Sequence, residues 1–176
     1  QVLFLATHHA REWVATEMAM RLIKYLTSSF DSDGRVTNIL NTTEVWVVPV
    51  GNPDGYQYTF TNERLWRKNL RDNDGDGGIT PVDGVDLNRN FDSHWGLDDE
   101  GSSPIWSSGT YRGAAPNSEP ETQALQHYIE AVLADQRGSS LQDAAPDDAS
   151  GLFVDVHSYG ELVLWPWGFT YEPPPN

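Results

Sequence analysis

Cysteine is absent from the 176 residues of this chain. No disulfide can staple the fold and no thiolate can hold a metal, while either redox compartment remains open. Lysine is nearly absent too, Lys24 and Lys68 being the only two among 11 basic residues. Against these stand 26 acids, giving a net charge of −15. Such a surface repels phosphate backbones and argues against nucleic acid as a partner. No apolar run approaches the roughly 18 residues of a membrane-spanning helix, so no membrane association is expected. There is no internal repeat and no composition shift that would mark a second domain. What is present is ordinary globular material, 38% apolar in a length suited to one domain. The acidity fits a secreted, extracellular protein or a salt-adapted one.

The chain opens on Gln1-Val2-Leu3-Phe4-Leu5, already strand-like, and closes on Glu172-Pro173-Pro174-Pro175-Asn176. Both ends read as cuts through something larger, so the expectation is one partial domain over 1–176. From Trp13 to Phe30, Val14, Met18, Leu22, Tyr25 and Leu26 share a stripe, which predicts an amphipathic helix that ends in polar residues and Gly34. Glu44 to Val50 is β-branched and apolar, the pattern of a strand buried on both faces. Asn52-Pro53-Asp54-Gly55 has the chemistry of a turn. A long stretch of low periodicity follows.

Ser118, Pro120 and Glu121 mark the start of a second helix through a capping box and a first-turn proline. Leu125, Tyr128, Ile129, Val132 and Leu133 form its buried stripe. After a polar loop from Arg137 to Ser150, Gly151 to His157 predicts a strand and Leu162 to Trp165 another. This alternation indicates an α/β fold with a mostly parallel sheet flanked by helices. In such sheets ligands collect beyond the carboxyl ends of the strands. His9 and His157 both stand just past a strand end.

His9 and Glu12 are three apart, so at a helix start their side chains leave one face. The same spacing arises at any helix start, where Glu12 favours the dipole. With His157, however, they complete the set of two histidines and one glutamate that holds a catalytic zinc ion, leaving a fourth position for a water whose pKa falls to about 7. His8, His94 and His127 lack comparable neighbours and are assigned to no metal. Asp72 to Asp83 separately fits a twelve-residue calcium loop, with acids at positions 1, 3, 5 and 12 (Asp72, Asp74, Asp76, Asp83) and Gly77 at the sharp turn. An acidic surface turn would look the same.

Five segments then line up. His9-Ala10-Arg11-Glu12-Trp13, Asn52-Pro53-Asp54-Gly55, Arg64-Leu65-Trp66-Arg67-Lys68, Val85-Asp86-Leu87-Asn88-Arg89-Asn90 and His157-Ser158-Tyr159 occur in this order. Together they resemble the zinc metallocarboxypeptidases of the carboxypeptidase A and B type, over nearly the whole chain. The resemblance implies an exopeptidase acting on peptide and protein C-termini, built on a mixed sheet. It implies zinc at His9, Glu12 and His157, with Asp86 accepting the second ring N–H of His9. Arg67 would polarise the scissile carbonyl. Asn88 and Arg89 would clamp the terminal carboxylate, and Arg11 and Tyr159 would line neighbouring subsites. It also implies cis bonds at Ser158–Tyr159 and Pro166–Trp167.

One part of the pattern is missing. The family's general-base glutamate lies well beyond its third zinc ligand, whereas 19 residues follow His157 here. Glu161 and Glu172 do not occupy the matching position. The expectation is therefore a chain that is a poor catalyst alone. Alternative readings are a related zinc amidohydrolase or cell-wall peptidase, or a peptide-binding module without catalysis.

Overall fold

The computed structural model of the protein describes residues 1–140 and 142–175. Among these, the elements in chain order are β1 (Val2–Ala6), α1 (Trp13–Ser29), α2 (Gly34–Thr42), β2 (Val45–Val48), α3 (Pro53–Thr61), α4 (Pro120–Val132) and β3 (Leu152–Val156). A short 3-10 turn spans Leu87–Arg89. The fold is α/β as expected, and the three strands form a parallel sheet in the order β2-β1-β3. Central β1 buries Leu3 and Leu5 on one face almost completely. On the other, Ala6 packs with Ala15 and Ala19 of α1, flanked by Val47 and Val156.

Several local expectations need correction. The buried line of α1 is Ala15 and Ala19, whereas Val14, Met18 and Tyr25 are about half exposed. Small side chains let the helix lie close to the sheet, so the large residues point away. Among the described residues β2 has a strand on one side alone, and Trp46 is exposed, so it is not a strand covered on both faces. Gly34 opens a helix rather than ending one, because the Asp33 carboxylate caps α2 by accepting from Arg35 N–H at 2.8 Å.

Asn52-Pro53-Asp54-Gly55 likewise starts α3. Asn52 Oδ1 accepts from Gly55 N–H at 3.0 Å and Pro53 occupies the first turn. At α4 the N-cap is Glu119, not Ser118, and no capping box forms. The Ser118 hydroxyl instead donates to Glu119 Oε1 and accepts from Asn90 Nδ2. Leu162 to Trp165 form no strand and lie exposed, with no strand beside them to complete a ladder among the described residues. The two peptide bonds singled out by resemblance, Ser158–Tyr159 and Pro166–Trp167, are cis.

The register matters most for function. Ala6 of β1 lies opposite Val156 of β3, so the two chains leave the sheet side by side at its carboxyl edge. Thr7, at a positive φ of 60°, turns the first chain across that edge.

Candidate metal centre and peptide site

Three side chains from two distant parts of the sequence converge beyond this edge. His9 lies three residues past β1, Glu12 at the N-cap of α1, and His157 one residue past β3. The Glu12 carboxylate offers one oxygen to each histidine: Oε1 is 2.7 Å from His9 Nδ1 and Oε2 is 3.0 Å from His157 Nδ1. The two Nδ1 atoms are 3.1 Å apart. A tetrahedral ion with bonds of about 2.0–2.2 Å spaces its ligand atoms about 3.3 Å apart, so a few tenths of an ångström of widening admits it. Two ring nitrogens facing each other across one carboxylate, with His9 and Glu12 buried, form a donor set that fits zinc.

The electrostatics follow from that crowding. Burial pushes Glu12 up, but hydrogen bonds from His157 and His9 more than offset it and hold the carboxyl at about 2. Burial pulls His157 down, yet Asp155 and Glu12 on either side raise it to about 9.

Asp86, fully buried, sits behind His9. Its Oδ1 accepts from His9 Nε2 at 3.2 Å and from Asn88 N–H at 3.1 Å. Its Oδ2 accepts from Arg67 Nη2 at 2.8 Å and Nε at 3.1 Å. Burial would raise this carboxyl, and the His9 hydrogen bond with the Arg67 charge keeps it at about 2. The loop carrying His9 is tied to the same segment by Ala10 N–H donating to Arg67 C=O at 3.0 Å.

The remaining expected residues are placed unevenly. Asn88 Nδ2 lies 3.3 Å from His157 Nε2, beside the centre. The Arg89 guanidinium is braced by the carbonyls of Gly101 and Asn88, each at 2.7 Å. It faces an open cleft of about 880 Å³ that Phe91, Leu164 and Phe169 also line. Arg11 is exposed, reaching only the Leu65 carbonyl at 3.5 Å. Tyr159 is wholly exposed and hydrogen-bonds to nothing at the centre.

In the acidic loop, oxygens of Asp72, Asp74 and Asp76 lie within 4.8 Å of one another. The pKa of Asp74 is raised: a hydrogen bond from the Asp76 N–H lowers it, but slight burial and the charges of Asp76, Asp83 and Asp72 outweigh that bond. Asp83 is not one of the three. Its buried carboxylate accepts from Asn73 N–H and from the N–H and hydroxyl of Thr80, so it closes the loop.

Sequence reasoning missed Asp155 and set His8 aside. Asp155 Oδ2 contacts His8 Nδ1 at 2.8 Å and His157 Nε2 at 2.9 Å. The signal was available, since residues two apart on a strand share a face and Asp155 precedes His157 by two.

A centre of two histidines and one carboxylate at the carboxyl edge of a parallel sheet, with an arginine beside it, defines the class as a metallopeptidase-like α/β protein. The sequence profile described as zinc carboxypeptidase matches residues 1–176, and the chain belongs to that family. Bovine (Bos taurus) carboxypeptidase O is 38% identical over 162 residues, covering 92% of this chain and 38% of that protein. Mast cell carboxypeptidase A of Mus musculus is 34% identical over 168 residues, 96% of this chain and 36% of that protein. Among solved structures, thrombin activatable fibrinolysis inhibitor matches with a TM-score of 0.77 and 27% identity, over 97% of this chain and 38% of that one. Carboxypeptidase A from Helicoverpa armigera matches at 0.66 and 30%, over 90% of this chain and 33% of that one. The chain thus spans little more than a third of the length of these curated relatives.

Proposed function

We propose that this chain carries the zinc-binding and carboxylate-recognition parts of a secreted metallocarboxypeptidase acting on the C-termini of peptides and proteins. The observation that carries the reading is the meeting of His9 Nδ1, Glu12 and His157 Nδ1 within hydrogen-bond distance of one another. Zinc bound there supplies a Lewis acid and a water of lowered pKa. Arg67, anchored on Asp86, stabilises the negative charge that develops on the carbonyl oxygen of the scissile bond. Asn88 and Arg89 take the terminal carboxylate, which restricts cleavage to chain ends, and Arg11 and Tyr159 border the subsites beyond it.

Hydrolysis also needs a proton acceptor. Glu161 and Glu172 are exposed and neither hydrogen-bonds to the centre, so turnover by residues 1–176 alone is lower by roughly 10²–10⁴. Calcium in the Asp72–Asp74–Asp76 loop belongs to the same reading; it would relieve the mutual repulsion of three acids. A rise in thermal midpoint on adding calcium, lost in Asp74→Asn, supports that loop site; no rise removes it.

The test of the main proposal is metal and ligand binding by the purified chain. Competition against a chromophoric chelator is expected to give one tight zinc, lost in His9→Ala. A short peptide with a free C-terminus is expected to bind better than its amide. A wild-type chain that takes up no zinc overturns the reading.

A further inference from the structure

His8 and Asp155 have no part in the scheme above, yet both are built into its edge. His8 is 2% exposed and its ring stands edge-on to Phe91 at 5.6 Å. Asp155 Oδ2 lies between two imidazoles, 2.8 Å from His8 Nδ1 and 2.9 Å from His157 Nε2. An ionised carboxylate only accepts, so each facing nitrogen must carry its hydrogen. For His8 this leaves Nε2 bare, and that atom is buried without a partner among the described residues. Every contact in this trio is a donor meeting an acceptor, so no second ion is needed to explain it.

For His157 the consequence is larger. In the neutral ring, hydrogen kept on Nε2 leaves Nδ1 with a lone pair that points at Glu12 and His9. The competing tautomer has local support, because Glu12 would welcome an Nδ1–H at 3.0 Å and the Asn88 amide could donate to a bare Nε2 at 3.3 Å. Asp155, the nearer neighbour at 2.9 Å, opposes that tautomer. The other oxygen, Oδ1, is buried and accepts nothing among the described residues, so only the two imidazoles set the carboxylate's rotation.

We propose that Asp155, held in place by His8, is a positioning residue that selects the metal-binding tautomer of His157, as Asp86 does for His9. The inference rests on the zinc reading of His9, Glu12 and His157. Partners of this kind change metal affinity by about 10- to 100-fold.

The test uses Asp155→Asn and His8→Phe in the whole chain, with zinc affinity from chelator competition and ¹⁵N shifts of the His157 ring in the metal-free protein above pH 9, where the ring is neutral. Asp155→Asn is expected to weaken zinc by about 10- to 100-fold and to move the ring hydrogen from Nε2 toward Nδ1. His8→Phe keeps the carboxylate but frees its rotation, and is expected to weaken zinc by a smaller factor. It also covers the case in which Asp155→Asn does not fold. Zinc affinity within twofold of wild type in the folded variants, with the hydrogen still on Nε2, overturns the proposal. If wild type binds no zinc, the zinc reading has failed. The ring shifts then still decide whether Asp155 governs the tautomer.

Discussion

Arg67 is fixed to Asp86 through two of its nitrogens, Nη2 at 2.8 Å and Nε at 3.1 Å, while Nη1 carries no partner among the described residues. The same carboxylate steadies His9, so one buried acid aligns both a proposed metal ligand and the proposed oxyanion donor. Asp86→Ala leaves a half-buried guanidinium without its counter-charge, which costs about 3–5 kcal/mol. It also frees the His9 ring, at a further loss of about 10- to 100-fold in zinc affinity. Denaturant unfolding and chelator competition measure the two losses separately. A variant that loses stability but keeps full zinc affinity would sever the link between Asp86 and the metal.

Asn52 does more than an ordinary cap. Besides accepting from Gly55 N–H, its amide donates to the carbonyls of His8 and Lys68, each at 3.1 Å, and the residue is fully buried. Asn52→Ala removes the cap and strands two carbonyls, for about 3 kcal/mol. Asp, an equally good cap elsewhere, would set a carboxylate against those carbonyls. Asn52→Asp should therefore destabilise as well, and a neutral result in chemical unfolding would contradict this geometry.

This residue also shows where the sequence runs out. β1 and α4 were legible because their periodicity and buried stripes agree with their packing, and the meeting of His9, Glu12 and His157 because those residue types at those places are distinctive. β3 pairs with β1 as its composition suggests, although Leu152 and Phe153 stay exposed. Asn52-Pro53-Asp54-Gly55 was ambiguous in principle: proline after asparagine opens turns and helices alike, and only the partners of the Asn52 amide decide. Ser118 carried a cap signature, but Asn90, 28 residues earlier, engages its hydroxyl first. Leu162 to Trp165 has strand composition, and composition alone supplies no neighbour. Asp155 looked like one more acid in an acidic chain until the register placed it beside His8.

Lys68 offers a pH test at a residue that is not itself a proposed metal ligand. It is 5% exposed and donates to the Trp106 carbonyl at 2.7 Å. Burial lowers it from 10.5 to about 8, although Asp83 and Asp86 pull it the other way. Below pH 8 the ammonium is present in folded and unfolded chains, and burying it costs its full penalty. Between pH 8 and 10.5 the unfolded chain holds a proton that the folded chain has shed, so stability from this group rises with pH. Wild type compared with Lys68→Met should show a constant difference in unfolding midpoint below pH 8 and a growing one in favour of wild type up to 10.5. A difference that stays flat across that window would contradict the burial argument.

Arg89 bears on what the site recognises. Its Nε and Nη1 are committed to the carbonyls of Gly101 and Asn88, which fixes the plane of the guanidinium and leaves Nη2, without a partner among the described residues, at the cleft. A carboxylate arriving there meets a cation whose orientation is already set, so little side-chain entropy is lost on binding. Hydrogen bonds to charged groups contribute about 1.5–3 kcal/mol, so Arg89→Ala should weaken an N-acetylated amino acid by roughly 10- to 100-fold. Its amide, lacking the charge, should bind the two proteins alike. Calorimetry on both ligands separates recognition of the carboxylate from general loosening of the cleft, because loosening would weaken acid and amide together.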